Sequence, residues 1–362
     1  MRPEDSPTPA AADGDFRDDL EAVRSDVADS RRAGGPAVSP GEPGGPLRGW
    51  VKPGRRRAPA GSSGGALVYA IGDVHGRLDL LTALIDKVAA DAGDRPHTLV
   101  MLGDYVDRGP DSSGVLDTLI DLHERAPEQV RLLKGNHEQA LLRFIDEPAQ
   151  SGAWLDRFGG AATLQSYGVE PLAAGASAEA LRAARNRLLV QMPAAHLLLL
   201  QRLELMALCG DYAFVHAGVD PDAPLSEQTE GDLLWIRERF LGAPGPFEKI
   251  IVHGHTWRDD QTMLLDHRIG VDTGAYQTGV LSAVRICDRE RVVIQALDEA
   301  AERRRAAGPS AAVGSLVSRP LNYADASPAD LRSIFAGADL QVGAGSLLTL
   351  HRRREDASPE VA

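Results

Sequence analysis

The sequence predicts a mixed α/β fold, and two observations carry this prediction. From Ala66 onward, apolar runs rich in β-forming residues alternate three times with amphipathic helical segments. This alternation is typical of a sheet with parallel strands joined by right-handed crossovers. Five further strand-like runs follow between residues 211 and 297, and their closeness predicts a second sheet of mixed or antiparallel type.

The three repeats follow one another without long gaps. ALVYAIGDV, which starts at Ala66, is a continuous apolar run ending in a turn, as expected of a strand covered on both faces. The helix after it aligns its apolar side chains, from Leu81 to Val88, on one stripe. HTLVMLGDYV and QVRLLKGNH repeat the strand, whereas SSGVLDTLIDLHERAP and EQALLRFID repeat the helix. Residues 150–208 are predicted to form helices and loops. The later strands are expected at 211–218, 249–255, 268–274, 279–286 and 291–297.

Composition divides the chain into three parts. Residues 1–65 form an acidic arm rich in Pro and Gly. We expect this arm to be disordered, because it cannot bury enough apolar surface to offset the entropy of ordering. Residues 66–298 form the folded domain. Residues 299–362 are rich in Ala and Arg, and we expect this extension to be mostly flexible.

Bulk properties exclude several classes of protein. The formal net charge of −13 argues against nucleic acid as a partner, because phosphate backbones attract basic surfaces. The only cysteines, Cys209 and Cys287, lie far apart in sequence, which indicates a reducing compartment without a disulfide framework. There is neither a signal-peptide pattern nor an apolar run long enough for a membrane span, so a cytoplasmic protein without a membrane partner is expected. The oligomeric state stays open.

Charged, glycine-flanked clusters follow the predicted strands. The first three strands end in GDVHG (72–76), GDYVDRG (103–109) and GNHE (135–138). Two later strands end in HAG (216–218) and HGHT (253–256). Ligands of open α/β sheets bind beyond the carboxyl ends of the strands. Since about one βα unit separates each of the first three clusters from the next, neighbouring parallel strands would bring them side by side.

The residue types in these clusters point to a pair of divalent cations. Asp, His and Asn supply oxygen and nitrogen ligands that suit Mn²⁺, Fe²⁺ or Zn²⁺. The clusters hold more ligands than one ion needs, and Asp104, in the middle cluster, is placed to bridge two ions. Two cations about 3.5–4 Å apart can hold a hydroxide at neutral pH and neutralise phosphoryl oxygens. Arg108 beside such a site is a natural fork for the phosphate of a substrate.

At this point the sequence resembles a known family. GDVHG, GDYVDRG and GNHE, followed by a strand-end His and GHT, resemble the phosphoprotein phosphatase branch of the calcineurin-like metallophosphoesterases, over residues 66–298. LLWIRERF (233–240) is similar to the bacterial and phage-type members. QALLRFIDEP, after GNHE, departs from the eukaryotic pattern, so eukaryotic-style regulatory partners are not expected. The resemblance implies a two-sheet β-sandwich core flanked by helices, with the site at one edge, and makes 66–298 a metallophosphatase catalytic domain.

The resemblance also implies the metal ligands. One metal ion would be held by three side chains, those of Asp73, His75 and Asp104. The second would share Asp104 and be held by Asn136, His216 and His255 as well. Of the two histidines in HGHT, the family pattern favours His255. His253 lies two positions earlier on the strand, and whether it contributes stays open.

Catalytic and phosphate-binding roles follow from the same resemblance. His137 would be the general acid that protonates the leaving alkoxide, and Asp107 would orient it. Arg108, Arg237 and Asn136 would bind the phosphate. For Arg237 the alternative is a surface ion pair with a neighbouring Glu. Tyr276 and Trp154 are expected to line or wall the pocket rather than take part in the chemistry.

The implied reaction is hydrolysis of a phosphomonoester by a metal-bridging hydroxide. The expected enzyme is a serine/threonine, or dual-specificity, phosphoprotein phosphatase with two Mn²⁺ ions, Fe or Zn being the other candidates. A dinucleoside polyphosphate hydrolase of the same superfamily is the alternative, although that branch departs from VDRG and GNHE. A nuclease is disfavoured by GHT and by the acidic charge. A non-catalytic scaffold is disfavoured because every expected position is filled.

Overall fold

The computed structural model describes residues 60–307 and the backbone of two later strands, 338–342 and 348–352. The strands, in chain order, are β1 (Leu67–Ile71), β2 (His97–Met101), β3 (Val130–Leu132), β4 (Met206–Cys209), β5 (Tyr212–Val215), β6 (Ile250–His253), β7 (Met263–Leu264), β8 (Arg268–Gly270), β9 (Val280–Cys287), β10 (Glu290–Leu297), β11 (Ala338–Val342) and β12 (Leu348–Arg352). The helices are α1 (Leu78–Ala92), α2 (Ser112–Arg125), α3 (Asn136–Asp146), α4 (Gly152–Asp156), α5 (Gly160–Ser166), α6 (Ala178–Gln191), α7 (Ala194–Arg202), α8 (Glu230–Trp235), α9 (Glu238–Leu241), α10 (Ala275–Thr278) and α11 (Glu299–Ala306).

The first sheet has the strand order β10-β9-β1-β2-β3. Strands β1, β2 and β3 run parallel, with Leu67 opposite His97 and Leu99 opposite Val130, which confirms the predicted βαβαβ arrangement. Strands β9 and β10 join the same sheet, antiparallel, at the free edge of β1. The prediction that these two strands belong to the second sheet was therefore wrong. Closeness in sequence pairs them with each other, but it does not decide which sheet edge they extend.

The second sheet has the order β4-β5-β6-β8-β7. Strands β5, β6 and β8 are parallel, whereas β4 and β7 pair antiparallel with their neighbours, so the predicted mixed sheet is confirmed. Strand β4 overlaps the end of the 150–208 segment, which was expected to form helices and loops. Its four residues are too few to show a period of two, and pairing with β5 stabilises them as a strand.

The two sheets pack face to face. Along β1, Val68 and Ala70 point into a core shared with Phe214 and Val252 of the second sheet. The alternate residues of β1, such as Tyr69, face α1 and α2 on the outside. The outer face of the second sheet is covered by the segment that carries α8 and α9. This arrangement confirms a two-sheet sandwich flanked by helices.

Residues just before β1 contact the sandwich. The backbone N–H groups of Ser63 and Gly65 donate to Asp288 at 3.1 and 3.2 Å, and the Tyr212 hydroxyl donates to the Gly61 carbonyl at 3.2 Å. The rest of the predicted arm, 1–59, lies outside the described residues. Within the predicted extension 299–362, α11 and the antiparallel β11–β12 pair are described, and the remainder is not. In the described part of the chain, every helix is too short or too polar to traverse a lipid bilayer.

Candidate metal and phosphate site

Polar side chains from five strand ends meet at one edge of the sandwich. Asp73 and His75 follow β1, and Asp104 follows β2. Asn136 begins α3, directly after β3. His216 follows β5 and His255 follows β6. Each of these six residues is at most 6% exposed, so the parallel strands bring the predicted metal ligands into one buried cluster.

The backbone of this cluster is unusual. In the described part of the chain, five of the six non-glycine residues with positive φ belong to the strand-end motifs. They are His75 (46°), Asp104 (52°), Asp107 (72°), Arg108 (69°) and His255 (64°). Such conformations cost about 1–3 kcal/mol each, and they persist where the surrounding structure enforces them. The strain is thus concentrated where side chains must turn towards one point.

Two glycines allow the close approach of the motifs. A Cβ atom on Gly135 would overlap Asp104 Oδ1, and one on Gly254 would overlap Asp73 Oδ1. Both are backbone positions that touch a carboxylate of the cluster. Any larger residue would push the carboxylate away from its neighbours.

One group of side chains presents converging lone pairs. His216 Nδ1 donates to the Leu102 carbonyl at 2.9 Å, so Nε2 of the neutral ring carries a lone pair. That Nε2 lies 2.9 Å from Asn136 Oδ1, 3.2 Å from His255 Nδ1 and 3.4 Å from Asp104 Oδ1. His255 Nδ1 is also 2.8 Å from Asn136 Oδ1. In the tautomer of His255 that carries its proton on Nε2, all of these atoms are acceptors facing one another, and a divalent metal ion between them would relieve their repulsion.

A second group faces the other oxygen of Asp104. His75 Nδ1 donates to the Val106 carbonyl at 2.9 Å, which leaves the Nε2 lone pair 3.6 Å from Asp104 Oδ2. His137 Nε2 lies 3.8 Å from the same oxygen. Asp104 is therefore shared: Oδ1 faces His216 and Oδ2 faces His75 and His137. Ligand atoms of each group lie within 4.8 Å of one another, close enough to hold an ion.

The histidines of the cluster are kept neutral. Burial, with the charge of neighbouring groups, lowers the pKa of His75 and of His255 well below the usual range. Burial also lowers the pKa of His216, although Asp104 opposes the shift. A neutral imidazole is the form that binds a metal ion, so these shifts suit the predicted ligand role.

Asp73 lies beside both groups and is crowded by other carboxylates. The His255 backbone N–H donates to both oxygens of Asp73, at 3.1 and 3.0 Å. Burial and the nearby carboxylates of Asp272 and Asp104 raise the pKa of Asp73 well above its ordinary value. Burial also raises the pKa of Asp272 to about 6. Three buried carboxylates in one place are costly without positive charge, which again fits bound cations.

His137 is paired with Asp107. Its Nδ1 lies 2.7 Å from Asp107 Oδ2, and both side chains are buried. Burial lowers the pKa of His137, but the carboxylates of Asp104 and Asp107 outweigh it and raise the pKa above the ordinary value. His137 thus has one ring nitrogen on Asp107 and the other facing the cluster, as the predicted acid–orienter pair requires.

Two arginines border the cluster. Arg108 is exposed, and its guanidinium carbon lies 4.7 Å from the centre of the Tyr276 ring, which in turn lies 5.2 Å from His75. Arg237 is half-buried between α8 and α9. Burial lowers the pKa of Arg237, and Arg108 adds to this shift, whereas Glu238 and Asp104 oppose it. Both cationic groups therefore lie within electrostatic reach of the cluster and of each other.

His253 lies outside both groups. Its Nδ1 donates to the Gly254 carbonyl at 3.0 Å, and its ring packs edge-on against Phe240 at 5.1 Å. It lines a cavity of about 230 Å³ together with Thr256, Trp257 and Asp272. His255 therefore lies in the cluster and His253 does not, which supports His255 as the candidate ligand.

Several contributors were not assigned from the sequence. Glu138 accepts backbone N–H groups of Asp104, Tyr105 and Gly135 at 2.9, 2.7 and 2.8 Å, so it holds two motifs together. Asp272 lies in DTGA, at the end of a predicted strand. The same kind of signal identified the other clusters, so Asp272 could have been assigned from the sequence. Trp154 was expected only to wall the pocket, but it donates to Asp107 at 2.9 Å. No local pattern signals that contact.

Comparison with known proteins agrees with this geometry. Residues 66–269, more than half of the chain, match the calcineurin-like phosphoesterase family. The chain is 42% identical over 74 residues to the symmetrical bis(5'-nucleosyl)-tetraphosphatase of Neisseria gonorrhoeae, covering 20% of this chain and 25% of that protein. It is 37% identical over 75 residues to the serine/threonine-protein phosphatase rdgC of Drosophila melanogaster, covering 21% and 11%. The chain thus spans about a quarter or less of the length of these relatives.

One solved structure to which the chain is similar is that of a protein provisionally named a diadenosine tetraphosphatase. It has a TM-score of 0.45 and 20% sequence identity, and the match covers 65% of this chain and 95% of that one. The family match, together with the two-sheet sandwich, confirms the predicted fold. This chain belongs to the calcineurin-like phosphoesterase family.

Proposed function

We propose that this protein is a metal-dependent phosphomonoester hydrolase that acts on phosphoserine and phosphothreonine in proteins. One observation carries the proposal. Asp104 is shared between two groups of buried imidazoles, and a hydrogen-bonded His137–Asp107 pair faces the same carboxylate. The first feature suits a pair of cations, and the second suits proton transfer to a leaving group next to them.

The proposed ligands are those that the cluster brings together. Asp73, His75 and Asp104 hold one divalent cation. Asp104, Asn136, His216 and His255 hold the other. When bound, such a pair neutralises the phosphoryl oxygens and activates water. The mixture of oxygen and nitrogen donors suits Mn²⁺, which we propose as the metal, and it would also accept Fe or Zn.

Substrate binding falls to residues at the rim. Arg108 and Arg237 approach the cluster from two segments, and a planar guanidinium can donate two parallel hydrogen bonds to a phosphate. The Asn136 amide group, at the start of α3, is the third proposed phosphate contact. These groups hold the phosphorus above Asp104, with the leaving oxygen towards His137.

His137 completes the reaction. The bond from phosphorus to the leaving oxygen breaks with its electron pair on that oxygen. Water forms the new bond to phosphorus and loses one proton to the solvent, which balances the proton that His137 donates. His137 Nε2 gives its proton to the leaving oxygen, while Nδ1 stays on Asp107. This proton matters most for alkyl leaving groups such as serine, because an alkoxide is a poor leaving group.

A panel of substrates tests the proposal. The purified protein with added Mn²⁺ is given a phosphoserine peptide, a phosphotyrosine peptide, an aryl phosphate and diadenosine tetraphosphate, with Asp104→Asn as the control. We expect release of phosphate from the phosphoserine peptide, loss of activity in chelator and loss in Asp104→Asn. If no phosphomonoester is cleaved, the proposal is wrong.

A dinucleoside polyphosphate hydrolase is the second candidate. It is favoured by the identity of 42% over 74 residues to a tetraphosphatase of that kind. The retained Asp107, Arg108 and Glu138 weigh against it, because that branch departs from these motifs. Fast cleavage of diadenosine tetraphosphate, with the phosphopeptides untouched, would replace the preferred substrate class by this one.

A further inference from the structure

Asp107 is a fully buried carboxylate that is surrounded by side-chain donors. Its Oδ2 accepts from His137 Nδ1 at 2.7 Å and from Trp154 Nε1 at 2.9 Å. Its Oδ1 accepts from the Thr163 hydroxyl at 2.6 Å. The residue is 0% exposed, so these donors replace the solvation that the carboxylate loses on burial.

The direction of each hydrogen bond in this network can be assigned. A carboxylate only accepts, so the single Thr163 hydroxyl proton points to Asp107 Oδ1. Thr163 Oγ1 then accepts from the Asp107 backbone N–H at 2.9 Å and from the Ser112 hydroxyl at 3.0 Å. The same backbone N–H also donates to Ser112 Oγ at 3.1 Å, so it is shared between the two hydroxyl groups. The side chain and the backbone of Asp107 are therefore held by the same threonine.

The two donors come from a segment remote from the strand-end motifs. Trp154 lies on α4 and Thr163 on α5. The indole is 2% exposed and packs against Phe144 at 4.5 Å. A Cβ atom on Gly160 would overlap the indole ring, so the start of α5 is shaped around Trp154. The position of the indole N–H is thus fixed by packing on both sides.

The consequence concerns the orientation of His137. Its Nδ1 is bound to Asp107, and its Nε2 faces Asp104 Oδ2 at 3.8 Å. If the Asp107 carboxylate turned, the imidazole would lose the partner that sets its orientation. We propose that Trp154 and Thr163 are positioning residues that act through Asp107 to hold His137 in the orientation from which it gives up its proton. This inference rests on the proposed role of His137 as proton donor.

A kinetic test separates positioning from general support of the fold. Trp154→Phe keeps an aromatic ring without the N–H, and Thr163→Val keeps the shape without the hydroxyl. With Mn²⁺, we expect each to lower kcat/KM for a phosphoserine peptide about 10-fold and for p-nitrophenyl phosphate less than about 3-fold, because an acidic leaving group needs little proton donation. Placed on a His137→Asn background, either substitution should cost no further activity.

The matched control is Thr118→Val. Thr118 lies in the neighbouring helix α2, and among the described residues its hydroxyl donates to the Gly114 carbonyl, at 2.8 Å. We expect it to leave both activities unchanged. Equal losses on the two substrates in Trp154→Phe and Thr163→Val would overturn the inference. The inference would also be overturned if either substitution lowered activity by the same factor on the His137→Asn background as in the wild type. Either result would indicate that the two residues only support the fold.

A spectroscopic test does not depend on turnover. In protein labelled with ¹⁵N-histidine and loaded with Zn²⁺, which has no unpaired electrons, the Nδ1–H resonance of His137 is assigned by its absence in His137→Asn. We expect this resonance to shift upfield in both Trp154→Phe and Thr163→Val but not in Thr118→Val. An unchanged resonance overturns the inference even if the wild type hydrolyses phosphopeptides. A shifted resonance supports it even if the substrate proves different.

Discussion

His137 and His196 are both buried and both hydrogen-bonded to an aspartate, yet their second ring nitrogens differ. His196 Nε2 lies 2.9 Å from Asp117 Oδ1, and its Nδ1 lies 2.7 Å from the Tyr167 hydroxyl, so both nitrogens are used within the fold. His137 Nδ1 is bound to Asp107, but its Nε2 faces Asp104 and the cluster. A histidine–aspartate pair is thus chemically useful only where one nitrogen is left facing a site.

The aspartates differ as well. The Asp107 side chain is 0% exposed, whereas that of Asp117 is 68% exposed. A contact to an exposed carboxylate is weak because water screens it and competes for it. A buried carboxylate cannot be solvated and must keep its donors. The His196–Asp117 pair therefore connects two helices, whereas the His137–Asp107 pair orients a reactive group.

Replacing each of the two histidines by asparagine tests the comparison most strongly. We expect His137→Asn to lower kcat/KM on a phosphoserine peptide by about 10²–10⁴-fold, the usual contribution of a general acid. An aryl phosphate should be affected much less. His196→Asn should stay within about 3-fold of wild type on both substrates. Steady-state kinetics of the two variants on the two substrates measures these changes in kcat/KM. A large loss of kcat/KM in His196→Asn would show that the two histidine–aspartate pairs do not differ in function.

Metal binding should also distinguish the cluster around Asp104 from the His196–Asp117 pair. Since an ion binds the folded cluster only, saturating Mn²⁺ at about 100 times its Kd should stabilise the fold by about 2.7 kcal/mol. We expect the rise in Tm on adding Mn²⁺ to disappear in Asp104→Asn and to persist in Asp117→Asn. Thermal unfolding with and without the ion is the measurement. Persistence of the shift in Asp104→Asn would place the ion elsewhere.

Tyr167→Phe tests the contacts of His196, whose two ring nitrogens are both used within the fold. It leaves the buried His196 Nδ1 without its partner, so we expect a loss of about 1–3 kcal/mol in the free energy of unfolding. Activity per folded molecule should not change. Urea denaturation followed by fluorescence, alongside kinetics at a temperature well below the transition, tests both statements. A fall in activity without a fall in stability would contradict them.

Asp117→Asn should have the smallest effect. The carboxylate is exposed and its contact with His196 is screened, so we expect a change of less than about 1 kcal/mol in the free energy of unfolding. The matched change Asp107→Asn should be far more damaging, because it alters a buried acceptor with three side-chain donors. Similar free energies of unfolding of Asp107→Asn and Asp117→Asn would show that burial of the carboxylate does not make one pair contribute more to stability than the other.

The sequence alone determined the parallel strands β1–β3 and the clusters at their ends. Both signals are local, because apolar runs, glycine turns and one βα unit between clusters can be read without knowing the fold. That information was enough to bring Asp73, Asp104 and Asn136 to one edge. It was also enough to expect shared coordination by Asp104.

Only the tertiary structure decided the remaining features. Alternation along a strand could not choose between His253 and His255, because β6 ends at His253 and His255 has a left-handed backbone. The edge that β9 and β10 extend, and the donors that Trp154 and Thr163 send to Asp107, depend on contacts between distant segments. Such contacts are set by how sheets and helices pack, and packing leaves no periodic trace in the sequence.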